Sequence, residues 1–379
     1  MSCLLDCEMK KFDFTIYKET RKYFNLFDTY MKLHLVAKKE IFAELFINNS
    51  SYRRCRDSEQ KMAIGLINKI GCHFNFKIPT KHDVDVLEEL CSKIYHNMYY
   101  KIYNTYDEDI DNIDSIINEN NLLFPIAKLM KLFLVVHSKK SAENLYQEYN
   151  DLYNEVKEYV TFYNDELIDI FDILSLFYDK SYLEDGSWIK ENTNPMAYQI
   201  ASSNCFINNK YIEAIYFAER AKEKYILDLN FKRILVVNKT IMSCLLNINN
   251  YNECYELSLK QELCLKSLDL MTSEYKNVIK FKVISLLGMR RYNQAIDLLI
   301  NLDSMNLTLL TCLLISLYQT DQTKYLAYYN DFKLNMDESD YSIYLNYLDK
   351  YLHTRNKNIL NNIFEYEIVK SLKNILKKL

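Results

Sequence analysis

The chain is predicted to be all α-helical, a small basic N-terminal unit followed by an array of helical hairpins, and three observations predict it. Four glycines and three prolines in 379 residues leave little for hairpin turns, strand corners or phosphate-binding loops, while 49% hydrophobic residues supply a large core. Apolar residues recur at helical spacing along most of the chain. A period of about 40 residues marks the C-terminal half, where Tyr211, Tyr251 and Tyr292 fall 40 and 41 residues apart.

The N-terminal unit, residues 1 to 78, is organised around residues 37 to 58, AKKEIFAELFINNSSYRRCRDS. Ile41 and Leu45 share one face of a first helix, Ile47 plugs the corner, and Tyr52 and Cys55 share the inner face of a second. Asn48 or Asn49 starts that second helix, Ser50 and Ser51 occupy its first turn, and Arg53, Arg54 and Arg56 fall on its outer surface. Short polar groups at a helix start followed by arginines suit base edges and phosphates, so Asn49, Ser50, Ser51, Arg53, Arg54 and Arg56 are the expected contacts to double-stranded DNA. Charge agrees: residues 1 to 78 carry 14 Lys and Arg against 9 Asp and Glu, a balance of +5, so with the chain at -4 the remainder carries -9. The segment resembles the helix-turn-helix of phage-repressor-like proteins at Glu40, Ile41, Leu45, Ile47 and Arg54. It departs from that pattern at Phe42, where a small residue is usual, and at Phe46, where glycine usually makes the turn.

Ile78, Pro79 and Thr80 place a domain boundary, because proline disfavours helix in the residue before it. The acidic run from Asp107 to Asp114 predicts a solvated loop or a helix start. Residues 121 to 137, 141 to 160 and 163 to 180 are amphipathic helices. Leu183 to Pro195, with Gly186 and the single tryptophan, Trp188, interrupts them, and the indole is expected to pack between helices.

The repeats begin at Asn208, Asn249 and Met289, and each tyrosine is followed three residues later by a small side chain, Ala214, Cys254 and Ala295, which lets two helices approach closely. Each copy follows another helical run, at 197 to 207, 233 to 247 and 274 to 288, so the unit is a helical hairpin. It is similar to the tetratricopeptide repeat over 195 to 301, with the turn glycine surviving only as Gly288. Helices at 307 to 319, 322 to 335, 339 to 352 and 358 to 378 would complete and cap an α-solenoid running from 79 to 379. In the last of these, Ile359, Ile363, Ile368, Leu372 and Ile375 form a broken apolar stripe, able to cap the array or to meet a second copy in a homodimer.

A helix-turn-helix followed by tetratricopeptide-like repeats resembles the peptide-pheromone receptors of Gram-positive bacteria, the RRNPP family of Rgg-like and PlcR-like regulators. The resemblance implies a short signalling peptide bound on the repeats and a resulting change in dimer geometry and DNA binding. Asparagine can donate to and accept from an extended peptide backbone. Asn164, Asn204, Asn238 and Asn277, spaced 40, 34 and 39 residues apart, are the candidate peptide ladder, with Tyr198, Arg233 and Lys280 as further peptide contacts. The alternative is a repeat scaffold that binds and inhibits a partner protein, of the response-regulator-binding type, without touching DNA.

Catalytic motifs are absent: no GxxxxGK[ST], GxGxxG, HExxH or GxSxG occurs, so no enzyme is expected. No cofactor is implied. Of the ten cysteines, Cys205, Cys244, Cys254, Cys264 and Cys312 lie in helical apolar patterns and should behave as small hydrophobes. No Cys or His cluster has zinc spacing, Cys72, His73 and His82 lacking a fourth ligand, so no metal is expected. No apolar run spans a membrane and no secretory segment opens the chain, which predicts a cytoplasmic protein.

Overall fold

The computed structural model describes residues 12–18, 21–57, 63–100, 106–138, 149–191, 193–267, 273–302, 305–335, 340–365 and 372–378. It is all-helical. Among the described residues the only β feature is a single parallel bridge, Lys77 to Asn121. No helix among them is long and apolar enough to cross a membrane. The chain forms two compact units, Met1–Ala201 with Leu227–Arg233, and Ser202–Ile226 with Ile234–Leu379.

The first unit opens on a short 3-10 turn, Thr15–Lys18, then α1 (Arg21–Leu33), α2 (Lys38–Glu44), α3 (Asn49–Asp57) and α4 (Ala63–His73). It continues through α5 (Lys81–Tyr100), α6 (Asp107–Asn118), α7 (Phe124–Ser138), α8 (Asn150–Glu158), α9 (Asp165–Tyr178) and α10 (Lys180–Asp185) into α11 (Pro195–Ile207). The expected boundary at Ile78–Thr80 does not coincide with the division between units. Residues 12 to 18 act as a strap that ties the N-terminal helices to later ones. Phe12 N donates to Ser92 Oγ (3.0 Å) and Phe14 N to Glu88 Oε2 (2.8 Å), while the Tyr17 hydroxyl donates to Phe162 O (3.0 Å) and accepts from Asn164 N (2.8 Å). Burial pushes the Tyr17 phenol above its ordinary range, so it stays neutral at that junction.

The acidic run becomes the start of α6, where three carboxylates in the first turn suit the positive end of the helix. Asp109 is buried there and pairs with Lys93 Nζ at 2.8 Å. Gly186 closes α10 in the left-handed conformation, and Trp188 is buried edge-on against Tyr198 at 5.5 Å, in the packing role expected of it.

The second unit takes up the end of α11, then α12 (Tyr211–Leu227) except its last residue, α13 (Phe231–Asn247) from Ile234 onward, α14 (Tyr251–Ser267), α15 (Ser273–Gly288), α16 (Tyr292–Ile300), α17 (Leu307–Thr320), α18 (Gln322–Asn335), α19 (Asp340–Thr354), α20 (Lys357–Phe364) and α21 (Lys373–Leu376). Three hairpins share one turn. Asn209, Asn249 and Arg290, each two residues before the repeat tyrosine, take φ of 59°, 61° and 61°. The next residue's amide reaches back to Cys205 O, Leu245 O and Leu286 O, each at 2.8 Å, the long bond of a Schellman motif. Ala214, Cys254 and Ala295 are fully buried, and two of them touch the preceding helix of their hairpin: Ser202 Oγ donates to Ala214 O (2.7 Å) and Cys254 Sγ lies 3.6 Å from Met242 O. Desolvation raises the Cys254 and Cys244 thiols to about 12, which keeps both protonated in the interior. Cys264 departs from the expectation and is exposed, since its position on α14 turns away from the neighbouring helices.

Residues 307 to 317 of α17 are buried on every side, as expected for a helix apolar all round. The expected single helix over 358 to 378 is instead interrupted after Phe364, with 366 to 371 outside the described residues. From Ile363 to Ile368 an unbroken helix would turn the apolar stripe by about 140°, so one straight helix cannot bury both ends of it. Ile363, Leu372 and Ile375 are buried within this unit, and Asn374 Nδ2 donates to Asn247 O at 3.3 Å. The stripe therefore caps its own chain at these three residues; Ile368 lies outside the described residues.

Candidate nucleic-acid interface and a buried-arginine cleft

The α2–α3 corner is closed by the same turn chemistry. Phe46 takes φ +51° and Ile47 N reaches Phe42 O at 2.8 Å, which seats Ile47 in the core and starts α3. Asn48 is the cap: its Oδ1 accepts from Ser50 N (2.9 Å) and Ser50 Oγ (2.8 Å). Tyr52 and Cys55 face inward, Asn49, Ser50, Arg53 and Arg54 are exposed, and Ser51 and Arg56 are half-buried. Phe42 fills the space expected for a small residue, its ring 4.7 Å from Tyr52, which also meets Phe24 at 5.0 Å.

Asp28 of α1 ties these helices together. Its carboxylate accepts from the Tyr52 hydroxyl (2.7 Å) and pairs with Lys38 (2.5 Å) and Arg56 (3.5 Å). Burial raises the Tyr52 phenol, with Asp28 beside it acting in the same direction. Arg56 also pairs with Asp57 at 2.8 Å, so its guanidinium is spent on the fold. The outward polar surface of α3 is carried by Asn49, Ser50, Arg53 and Arg54, which could meet phosphates and base edges.

A second feature lies in the same unit. Arg233 is buried, and its guanidinium donates to Tyr99 O (Nε, 3.1 Å), to Met98 O and to Gln199 Oε1 (Nη1, 3.5 Å). The first two are carbonyls at the C-terminal end of α5, where the helix field favours a cation. Asn230 Nδ2 donates to the same Tyr99 carbonyl (2.8 Å), and the Tyr99 hydroxyl donates to Asp228. No carboxylate among the described residues forms an ion pair with Arg233. It lines a cleft of about 410 Å³ with Asn97, Tyr106, His137, Phe177 and Gln199. A buried cation with neutral partners beside an open cleft can take a carboxylate.

The remaining peptide candidates divide between the units. Asn164 belongs to the first and is committed: its Oδ1 caps α9 through Leu167 N (3.1 Å) and its Nδ2 donates to Asp13 O (2.9 Å). Tyr198, also in the first, is buried against Trp188. Asn204, Asn238, Asn277 and Lys280 fall in the second unit. Asn238 is buried with no hydrogen-bond partner for Oδ1 among the described residues, while Asn204, Asn277 and Lys280 are half-buried. Burial, and then the neighbouring Lys239, push the Lys280 ammonium below its ordinary range. Sequence reasoning missed Gln199, His137 and Lys239; helical spacing could have placed Gln199 beside Tyr198 but gave no reason to choose it. Comparison with protein-family models, with curated proteins and with solved structures finds no match.

Proposed function

We propose that this chain is a cytoplasmic transcription regulator that reads duplex DNA through α3 as a homodimer and answers to a short signalling peptide, as in quorum sensing. The observation that carries the reading is the outer face of α3: a capped start with exposed Asn49 and Ser50, then exposed Arg53 and Arg54. The +5 balance of residues 1 to 78 would draw that face to a polyanion. In this reading α2 and α3 form the helix-turn-helix, and the α11–α16 hairpins are tetratricopeptide-like repeats. Arg233, beside its cleft in the first unit, receives a carboxylate of the peptide.

The test is fluorescence anisotropy with the full chain on duplexes selected from a random-sequence pool. Arg53→Ala with Arg54→Ala should weaken binding by about 1 to 3 kcal/mol for each arginine that reads a base. An arginine that touches phosphate should instead reduce the salt slope by about 1. Parental affinity and salt slope in the double variant would refute the reading.

A further inference from the structure

We infer that the Phe46 side chain is a DNA contact, an apolar wedge beside the reading helix that meets a thymine methyl group. The inference rests on the DNA-reading role proposed for α3. Its observation is independent of that role: Phe46 combines a left-handed backbone, φ +51°, with a side chain 93% exposed.

Among the described residues nine non-glycine positions have positive φ, and four are asparagine, the side chain that tolerates this region best. Several of the nine use their side chains. Asn209 and Asn249 accept from the Tyr211 and Tyr251 hydroxyls at 2.7 Å, and the Arg355 guanidinium lies over the rings of Tyr318 and Tyr351. Phe46 does neither. The turn needs only its backbone, which glycine or asparagine would supply with less strain, and the residue is 93% exposed among the described residues. A strained residue whose side chain serves no internal contact points to a contact outside the molecule.

The position identifies the partner. Phe46 lies two residues before the Asn48 cap and three before the exposed Asn49–Ser50 start of α3, with Arg53 and Arg54 on the following turn. The two exposed arginines complement a duplex backbone, and the thymine methyl is the apolar group that the major groove presents to a phenyl ring. Phe46 then adds discrimination for thymine at the edge of the site, where Asn49 and Ser50 supply hydrogen bonds.

The test separates fold from contact because the two respond in opposite directions. Phe46→Gly and Phe46→Asn, with Leu229→Gly as a strain-matched control at another left-handed position (φ 51°), are compared in the full chain. The probe is a duplex selected from random-sequence DNA by the parent, with versions in which single thymines are replaced by deoxyuridine, which removes only the methyl. Both Phe46 variants should melt higher than the parent yet bind the duplex about tenfold or more weakly, and Leu229→Gly should melt higher with unchanged affinity. Deoxyuridine at one position should weaken the parent about fourfold and leave Phe46→Gly unaffected. If the Phe46 variants bind like the parent while Arg53→Ala with Arg54→Ala abolishes binding, this inference is overturned and the DNA-reading role stands. Absence of any affinity of the parent for duplex DNA overturns both. A lower melting midpoint in both Phe46 variants also overturns the inference, because the ring would then hold the fold.

Discussion

Gly288 ends α15 against the ring of Tyr251, the first residue of α14, and the fit leaves no room for a methyl group. A Cβ built on Gly288 would lie 2.4 Å from Cγ and Cδ1 of Tyr251 and 2.6 Å from Cδ2. Carbon atoms rest about 3.5 to 4.0 Å apart, so Gly288→Ala forces an overlap of about 1 Å. The ring has little freedom to yield: its hydroxyl donates to Asn249 Oδ1 at 2.7 Å, and Lys378 Nζ lies 5.6 Å from its centroid. Overpacking of this kind costs about 1 to 3 kcal/mol, partly offset by the roughly 0.5 to 1 kcal/mol that alanine gains over glycine in a helix. The expected net loss is about 1 to 2 kcal/mol. With Tyr251→Ala the overlap disappears, and adding Gly288→Ala should then be neutral or stabilising. The four proteins compared by urea denaturation under far-UV circular dichroism should show a coupling of about 1.5 to 3 kcal/mol. Additivity within about 0.5 kcal/mol, or a Gly288→Ala protein as stable as the parent, would refute the packing argument.

Two further outcomes follow from buried polar groups. Burial pushes the Glu262 carboxyl up, but hydrogen bonds from Lys266 and Lys282, both at 2.7 Å, overcome it and hold the group below its ordinary 4.5. Its stabilisation is therefore complete above pH 4.5 and lost as pH falls through the depressed folded value, so the melting advantage of the parent over Glu262→Gln should shrink below pH 4.5; an advantage constant across that range would contradict it. Glu262→Ala at neutral pH should cost about 3 to 5 kcal/mol in urea denaturation, because it leaves the buried Lys282 ammonium unpaired. Tyr52→Phe removes hydroxyl bonds to Asp28 Oδ1 and Phe24 O and should lower stability by about 1.5 to 3 kcal/mol, the range for a bond to a charged acceptor, measured by thermal denaturation.

The helices were legible because their signals are local. Apolar spacing placed 307 to 319 and 322 to 335 within a residue of α17 and α18, and the tyrosine followed by a small residue marked side chains that are fully buried at Ala214, Cys254 and Ala295. Turns were harder to read, because the left-handed closure expected of glycine is made by Phe46 and Arg290, residues that carry no such signal. Asn164 illustrates a local signal given the wrong weight. An asparagine followed by Asp165 and Glu166 has the pattern of a helix start, and it caps α9. Of the cleft only Arg233 was singled out in the sequence, and its surroundings were not legible: it meets the carbonyl of Tyr99, 134 residues earlier in the chain, and no spacing rule reaches that far.

The helix α5 carries both halves of the first unit's chemistry. Near its middle, Glu88 and Ser92 hold the backbone of Phe14 and Phe12, the strap that leads into α1. At its end, the Met98 and Tyr99 carbonyls hold Arg233. Ser92 and Tyr99 are two helical turns apart, about 10 Å along the axis. A carboxylate bound at Arg233 would compete with those carbonyls for the same guanidinium, weakening the charge-assisted bonds that fix the C-terminal end of α5. The Tyr23 hydroxyl of α1 donates to Tyr17 O of the strap (2.6 Å), and Asp28 on α1 in turn holds Tyr52 and Arg56 of α3, so described contacts link the cleft to the proposed reading helix. In the proposed reading, a peptide carboxylate at Arg233 would act on α3 through α5 and the strap, without touching α3 itself.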